Sequence, residues 1–194
     1  MFCRSFGSDS NLKASFGVIR RRKCVKKRIS SLRIHRRTKK VFEVKICFVA
    51  SSGGHWEELM CLNSICNKAD SFFVTEKGGQ SNDCGLKHLY LFKKINRKEI
   101  LFVFHFVWVF IRALVIMVKE KPDVVITTGA LLAYPFCLIA KKLKKKVIYI
   151  ESFARVTDAS ITGKLVYKFA DLFIVQWKSM KKVYPKSVYA GSIF

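Results

Sequence analysis

The strongest structural signal in this chain comes from residues 44–55, which read VKICFVASSGGH. The first seven residues are apolar except for one lysine, as is typical of a strand buried on both faces. Two serines and two glycines follow and predict a tight turn. His55 then begins a segment with helical spacing of apolar residues. Residues 44–55 therefore predict a buried strand, a glycine turn and the start of a helix.

The same order of elements recurs along the rest of the chain. Helices are predicted at 55–67, 97–121, 131–143 and 162–170, and Pro122 ends the second of them. Strands are predicted at 44–50, 71–75, 88–92, 123–127, 146–150 and 172–176. Strands that alternate with helices predict an α/β fold with a doubly wound parallel sheet. The folded domain is expected to cover residues 44–194.

Residues 1–43 differ from this domain in composition. Residues 1–40 contain 14 of the 37 Lys and Arg residues but one of the 13 acidic residues, and they show neither helical nor strand periodicity. This composition predicts a disordered basic tail without a signal peptide or membrane anchor. A transit peptide and translation from an upstream start codon are the open alternatives.

The charge and the cysteines limit the class of protein further. A formal net charge of +24 predicts an anionic partner. Nucleic acid is disfavoured, because the basic residues of the tail lack the interleaved aromatic residues of a stacking surface. The seven cysteines form no Cys-x-x-Cys pair, which indicates a reduced, cytosol-facing chain without a structural metal site.

Residues 100–118 form a long apolar segment interrupted only by His105 and Arg112. Nineteen such residues could span a bilayer, but a span would separate strands that are predicted to share one sheet. His105 and Arg112 fall on one helix face, and basic residues flank the segment. We therefore predict a helix at about 98–120 that lies on an anionic membrane surface, through Phe104, Phe106, Trp108 and Phe110. A buried core helix and a true span are the alternatives.

The carboxyl ends of the predicted strands carry the residues with chemical potential. Ligands of parallel sheets bind at this edge. Gly53 and Gly54 allow close approach of a ligand, and the helix after them favours a pyrophosphate. His55 is a candidate base or phosphate donor, or else a histidine bonded to backbone. Glu151 is a candidate for orienting or deprotonating a hydroxyl, or else an ion-pair partner of Arg155.

Five short segments resemble a known family in order and spacing. They are ASSGGH at 50–55, TTGA at 127–130, ESFARV at 151–156, SITGK at 160–164 and VQW at 175–177. The chain resembles the PssD/CpsF-like capsular polysaccharide proteins over residues 44–194. That family is similar to the membrane-recruiting subunit of the two-subunit UDP-N-acetylglucosamine transferase of the dolichol pathway. That subunit has an N-terminal hydrophobic helix, so here the segment 100–118 would have to provide the membrane contact.

The resemblance implies the N-terminal, acceptor-binding half of a GT-B glycosyltransferase, complete as such. A partner subunit would bind the UDP-sugar donor, this chain would bind no cofactor, and a lipid-linked saccharide would accept the sugar with inversion. The setting would be capsule or exopolysaccharide synthesis at the cytoplasmic face of a bacterial plasma membrane. His55 or Glu151 would be catalytic, and the implied acceptor-binding residues are Ser51, Ser52, Gly53, Gly54, Thr128, Gly129, Arg155, Ser160, Thr162 and Gly163. The alternative is a non-catalytic scaffold or activator of a partner transferase.

Overall fold

The computed structural model describes residues 44–66, 69–78, 86, 88–94 and 101–194. The predicted basic tail, residues 1–43, lies outside this range.

One parallel sheet forms the centre of the described domain. Its strands are β1 (Lys45–Val49), β2 (Asp70–Glu76), β3 (Leu89–Phe92), β4 (Val124–Thr127), β5 (Lys146–Ile150), β6 (Leu172–Val175) and β7 (Val188–Tyr189). Their order in the sheet is β3-β2-β1-β4-β5-β6-β7, and every neighbouring pair is parallel. The predicted doubly wound parallel sheet is confirmed. Strand β7 was not predicted, because two residues leave no periodic signal.

The helices connect the strands and cover the sheet. They are α1 (Gly54–Met60), α2 (Asn63–Cys66), α3 (Phe102–Glu120), α4 (Ala133–Lys142) and α5 (Ile161–Val166), with a 3₁₀ helix at Lys178–Lys182. The prediction of one helix at 55–67 is wrong. The chain turns at Cys61 and Leu62, where the Leu62 N–H bonds to the carbonyl of Leu59 at 3.0 Å and tightens the last turn of α1.

Successive residues of β1 point to opposite faces of the sheet, so that both faces are buried. Cys47 and Val49 join the core beneath α3, α4 and α5, and Ile46 and Phe48 join the core beneath α1. The sheet is therefore a middle layer between helices, and this explains why the strands read as continuous apolar runs. Of the described cysteines, Cys47 and Cys137 are buried and Cys61 is exposed.

Helix α3 runs antiparallel to the strands. Near its end, Glu120 Oε2 lies 2.7 Å from Nζ of Lys45, the first residue of β1. Nearer its start, Arg112 lies over the ring of Phe92, the last residue of β3, at 4.5 Å. The first half of α3 therefore lies beside the carboxyl ends of the strands, the edge at which ligands bind in such sheets.

Candidate functional site

The sheet changes its winding direction between β1 and β4. Strands β2 and β3 lie on one side of β1, whereas β4 to β7 lie on the other. At such a switch point the connections leave for opposite faces, and a crevice opens beyond the strand ends. The connections here are residues 50–53 after β1 and residues 128–132 after β4.

His55 and Thr128 bind each other across this crevice. The carbonyl of Thr128 lies 3.0 Å from Nδ1 of His55 and accepts a hydrogen bond from its N–H, while the Thr128 hydroxyl donates to the His55 carbonyl at 2.6 Å. A ring that carries its proton on Nδ1 presents the Nε2 lone pair elsewhere when it is neutral. One side of His55 is thus fixed by backbone, and the other side stays available.

Gly129 makes this arrangement possible. Its φ of 113° favours glycine, and a β-carbon there would lie 2.9 Å from the Tyr149 hydroxyl and 3.5 Å from Cε1 of His55. The Gly129 N–H also bonds to the Thr127 hydroxyl at 3.0 Å. The absence of a side chain at Gly129 therefore leaves room for the His55 ring and the Tyr149 hydroxyl.

A cavity of about 250 Å³ opens beside His55. It brings together four of the predicted residues that are distant in sequence, and its lining residues are His55, Ala130, Ser152, Ala154, Arg155, Ser160, Ile161 and Thr162. The residues predicted for the site that do not line the cavity are Ser51, Ser52, Gly53, Gly54, Thr128, Gly129, Gly163 and Glu151.

The far wall of the cavity combines one cation with two hydroxyl groups. Arg155 is exposed, and no ion pair of the described residues includes it. Ser160 caps α5 by accepting the Gly163 N–H at 2.9 Å, and its hydroxyl lies 3.3 Å from that of Tyr149. The buried Thr162 follows in the first turn of α5. A guanidinium and hydroxyls facing a histidine suit an anionic or hydroxyl-rich ligand.

Glu151 is held away from this cavity. Its side chain is 1% exposed, and Oε2 accepts a hydrogen bond from the Tyr184 hydroxyl at 2.7 Å. Gly163 packs on the same oxygen so closely that any β-carbon there would collide with it. Burial and the bond to Glu151 together raise the pKa of Tyr184 well above its ordinary value. Glu151 therefore supports the cavity wall, and the geometry favours His55 as the group that meets a ligand.

Glu58 is a site residue that the sequence analysis missed. It lies three residues after His55 in α1, and its side chain is 4% exposed. Oε1 accepts hydrogen bonds from the Ser152 hydroxyl at 2.8 Å and from the Phe153 N–H at 3.0 Å, whereas Oε2 is buried without a hydrogen-bond partner. Burial raises the pKa of Glu58, although both hydrogen bonds oppose the shift. The sequence signal that could have identified Glu58 is its position as an acidic residue among the apolar residues of α1.

The turn before α1 has less to offer a phosphate than the sequence suggested. Helix α1 has seven residues, Gly53 and Gly54 are exposed, and Glu57 lies in its first turn. A short helix has a weak dipole, and an acidic residue in its first turn opposes an anion. The predicted pyrophosphate contact of Ser51 to Gly54 stays a prediction. No group of three or more metal-binding side chains occurs in the part of the chain that the structure describes.

Helix α3 exposes an apolar face on the surface of the domain. Phe104 is 75% exposed, and the residues that form this apolar face are Val103, Phe104, Val107, Trp108, Ile111, Leu114, Val115 and Val118. Among the described helices, α3 is long and apolar enough to cross a membrane by length and composition. Since four of its 19 residues are buried, the alternative of a wholly buried core helix is excluded.

The four aromatic residues predicted to contact a membrane divide into two pairs. Phe104 and Trp108 belong to the apolar face. Phe106 and Phe110 are half-buried, and the Phe110 ring packs edge-on against Tyr134 of α4 at 6.2 Å. Two of the four aromatic residues are thus turned away from the apolar face, and aliphatic residues form most of that face.

Comparison with known protein families gives the relationship. The family model described as oligosaccharide biosynthesis protein Alg14 like matches residues 68–193. The chain belongs to this family. The matched range includes Arg155, Ser160 and Thr162 of the cavity, while His55 and its turn precede it.

The relatives found bear the name UDP-N-acetylglucosamine transferase subunit ALG14. The human protein is 41% identical over 81 residues, which are 39% of this chain and 38% of that protein. The mouse protein is 28% identical over 77% of this chain and 83% of its own length, and the Candida albicans protein is 26% identical over 81% of this chain and 82% of its own length. These three relatives come from eukaryotes, so the resemblance to bacterial capsular polysaccharide proteins stays a prediction.

Solved structures share the fold at low sequence identity. MurG from Acinetobacter baumannii superimposes with a TM-score of 0.62 at 18% identity, over 77% of this chain and 45% of that chain. UDP-N-acetylglucosamine 2-epimerase from Rickettsia bellii gives 0.61 at 15% identity, over 78% and 45%. The chain thus spans less than half of each solved chain. The fold is that of the GT-B half predicted from the sequence.

Proposed function

We propose that this chain is the acceptor-binding, membrane-associating subunit of a split inverting glycosyltransferase. A partner subunit binds the UDP-sugar, and the acceptor is a lipid-linked saccharide. The switch-point cavity carries this proposal, because Thr128 fixes His55 there opposite Arg155, Ser160 and Thr162. The names of the relatives, as subunits of a UDP-N-acetylglucosamine transferase, support it.

The chemistry assigned to the chain is activation of the acceptor hydroxyl. The hydroxyl oxygen attacks the anomeric carbon of the donor sugar from the face opposite UDP. The new C–O bond forms as the bond to UDP breaks, and UDP leaves with the electron pair. Nε2 of His55 takes the hydroxyl proton, while the Thr128 carbonyl holds the proton on Nδ1 and stabilises the ring as its charge develops. Groups of the partner subunit neutralise the charge of the leaving UDP, and this chain itself binds no metal or cofactor in the proposal.

The apolar face of α3 associates with the cytoplasmic face of a membrane in this proposal. A helix with an exposed apolar surface and flanking cations fits the boundary between head groups and acyl chains. Lys93, Lys94, Lys119 and Lys121 are exposed around this helix and attract anionic lipids rather than nucleic acid. The finer setting, capsule or exopolysaccharide synthesis at a bacterial plasma membrane, rests on the sequence resemblance.

His55 separates this proposal from the alternative of a non-catalytic scaffold. The His55→Ala variant is co-purified with its partner from detergent-solubilised membranes, and turnover is then measured with UDP-sugar and lipid-linked acceptor. Loss of a general base lowers rates about 100-fold or more, so we expect assembly to persist and kcat to fall by at least that factor. His88→Ala, at an exposed histidine before β3, is the matched control.

Two results would contradict the proposal. Undiminished turnover of the His55→Ala complex would make the chain a scaffold. Failure of the intact chain to retain any UDP-sugar-binding protein would remove the split enzyme altogether.

A further inference from the structure

A second recess lies on the same edge of the sheet, between β3 and the first half of α3. Its volume is about 540 Å³, and the residues that line it, here called the β3–α3 groove, are Lys77, Leu89, Tyr90, Leu91, Lys93, Trp108 and Arg112. Strand β3 is the outermost described strand on this side of the sheet.

Three cations line this groove. None of Lys77, Lys93 and Arg112 takes part in an ion pair of the described residues. The Arg112 guanidinium lies over two neighbouring rings, 4.5 Å from the centroid of Phe92 and 5.2 Å from that of Trp108. The rings fix this guanidinium through cation–π contacts and leave its N–H groups available for an anion.

The groove lies between the apolar face and the turn that leads to His55. Trp108 belongs to both the groove and the apolar face. At the opposite side Lys77 directly precedes Gly78, where a β-carbon would lie 3.7 Å from the Ser52 hydroxyl. A ligand with an apolar tail, an anionic centre and a polar head could therefore place one part on each of these surfaces.

We propose that the β3–α3 groove binds the pyrophosphate of the lipid-linked acceptor. The lipid chain leaves along the apolar face, the two phosphates contact Lys77, Lys93 and Arg112, and the saccharide extends past Ser52 toward His55. This assignment rests on the proposed function and moves the phosphate contact away from Gly53 and Gly54.

The arrangement favours a pyrophosphate-linked lipid over an ordinary anionic phospholipid. Any cation beside the apolar face would attract a phospholipid, and Lys119 at the far end of α3 is such a cation. Lys77, Lys93 and Arg112 converge instead on one recess at the edge that carries the cavity. Three charges in one recess match the two linked phosphates of a pyrophosphate.

Flotation of the purified full-length chain with phosphatidylcholine vesicles tests the assignment. One set of vesicles contains polyprenyl pyrophosphate, and a second set contains phosphatidylglycerol at equal total charge. The Lys77→Ala/Lys93→Ala variant is compared with Lys119→Ala/Lys142→Ala, which loses the same charge at exposed positions away from the groove. All four side chains are exposed, so the fold should be unaffected.

We expect the groove variant to lose about tenfold or more of its affinity for the pyrophosphate vesicles, since charge-assisted contacts are lost. On phosphatidylglycerol both variants should weaken equally. The assignment would be overturned if the groove variant and the Lys119→Ala/Lys142→Ala variant lost affinity equally on the pyrophosphate vesicles as well. It would also be overturned if the groove variant bound polyprenyl pyrophosphate with wild-type affinity.

Turnover with the partner distinguishes failure of the groove from failure of the proposed function. For the groove variant we expect a raised KM for the acceptor with a kcat close to that of the intact complex. If the intact complex transfers no sugar, the proposed function fails while the vesicle result still stands. If sugar is transferred but the KM is unchanged, the groove assignment alone fails.

Discussion

At the scale of single residues, the site depends on polar groups that are partly or fully buried and fixed by distant partners. His55 is fixed by Thr128, 73 residues later, and Glu58 is fixed by Ser152, 94 residues later. His55 and Glu58 both lie in the short helix α1, and they share a face of it because they are three residues apart. The cavity therefore forms only when α1 meets the turns after β4 and β5.

Glu58 should make stability depend on pH in a direction opposite to that of an ordinary paired carboxylate. Burial raises its pKa above the ordinary value of 4.5. The folded state then holds the proton more tightly than the unfolded state, so the free energy of unfolding falls as pH increases from about that value through the folded-state pKa. In Glu58→Gln this decrease should be absent.

Urea unfolding of the full chain between about pH 4 and pH 8 measures this effect. Glu57→Gln, one position earlier and exposed, controls for the charge removed. An identical pH dependence in the wild type and in Glu58→Gln would contradict the prediction.

At the scale of elements, α3 is the helix whose environment differs most from that of a core helix. Val109, Ala113, Ile116 and Met117 pack on the sheet, and the opposite side forms the apolar face. His105 and Arg112 mark one border of that face, since seven residues are nearly two turns. The polar stripe predicted from the sequence therefore lies beside the exposed surface and not at its centre.

Charges placed on the apolar face should release the chain from membranes. Burial of a Val or Ile side chain contributes about 1.5 kcal/mol or more, so Val107→Asp/Ile111→Asp should lower vesicle affinity at least about tenfold. Flotation with anionic vesicles measures it. Val44→Asp/Val188→Asp, at exposed valines outside α3, should bind as the wild type does. Equal loss in both variants would mean that net charge alone governs binding.

At the scale of the whole molecule, the sheet fixes how α3 can meet a bilayer. Strand β3 precedes α3 and β4 follows it, and both belong to one sheet in which β2 and β1 lie between them. A helix that crossed the bilayer would place these strands on opposite sides, where they could not share hydrogen-bonded neighbours. The topology thus opposes a span although length and composition permit one.

Both ends of α3 should consequently be accessible from the same side of a membrane. Lys94→Cys and Lys121→Cys place thiols before and after the helix at exposed positions. In sealed vesicles with the chain outside, a membrane-impermeant maleimide should add label to both variants relative to the parent chain. Protection of one position until the vesicles are lysed would establish a span and contradict this topology.

Much of the fold could be predicted from the sequence because its signals are local. Apolar runs of strand length alternate with helical periods, and this pattern alone indicates a doubly wound sheet. The turn after β1 and the end of α3 at Pro122 were predictable for the same reason. The break after α1 and the two-residue β7 were not, since both depend on contacts with neighbouring elements.

The candidate site divides along the same line. The sequence by itself determined that His55 follows a strand end, whereas Arg155, Ser160 and Thr162 were expected at the site from the family resemblance. Only the tertiary structure decided that Tyr184 and Gly163 enclose Glu151, that Glu58 joins α1 to the turn after β5, and that α3 leaves one apolar face uncovered. The physical reason is that periodicity reports which residues share a face, whereas burial and hydrogen-bond partners depend on which distant element packs against that face.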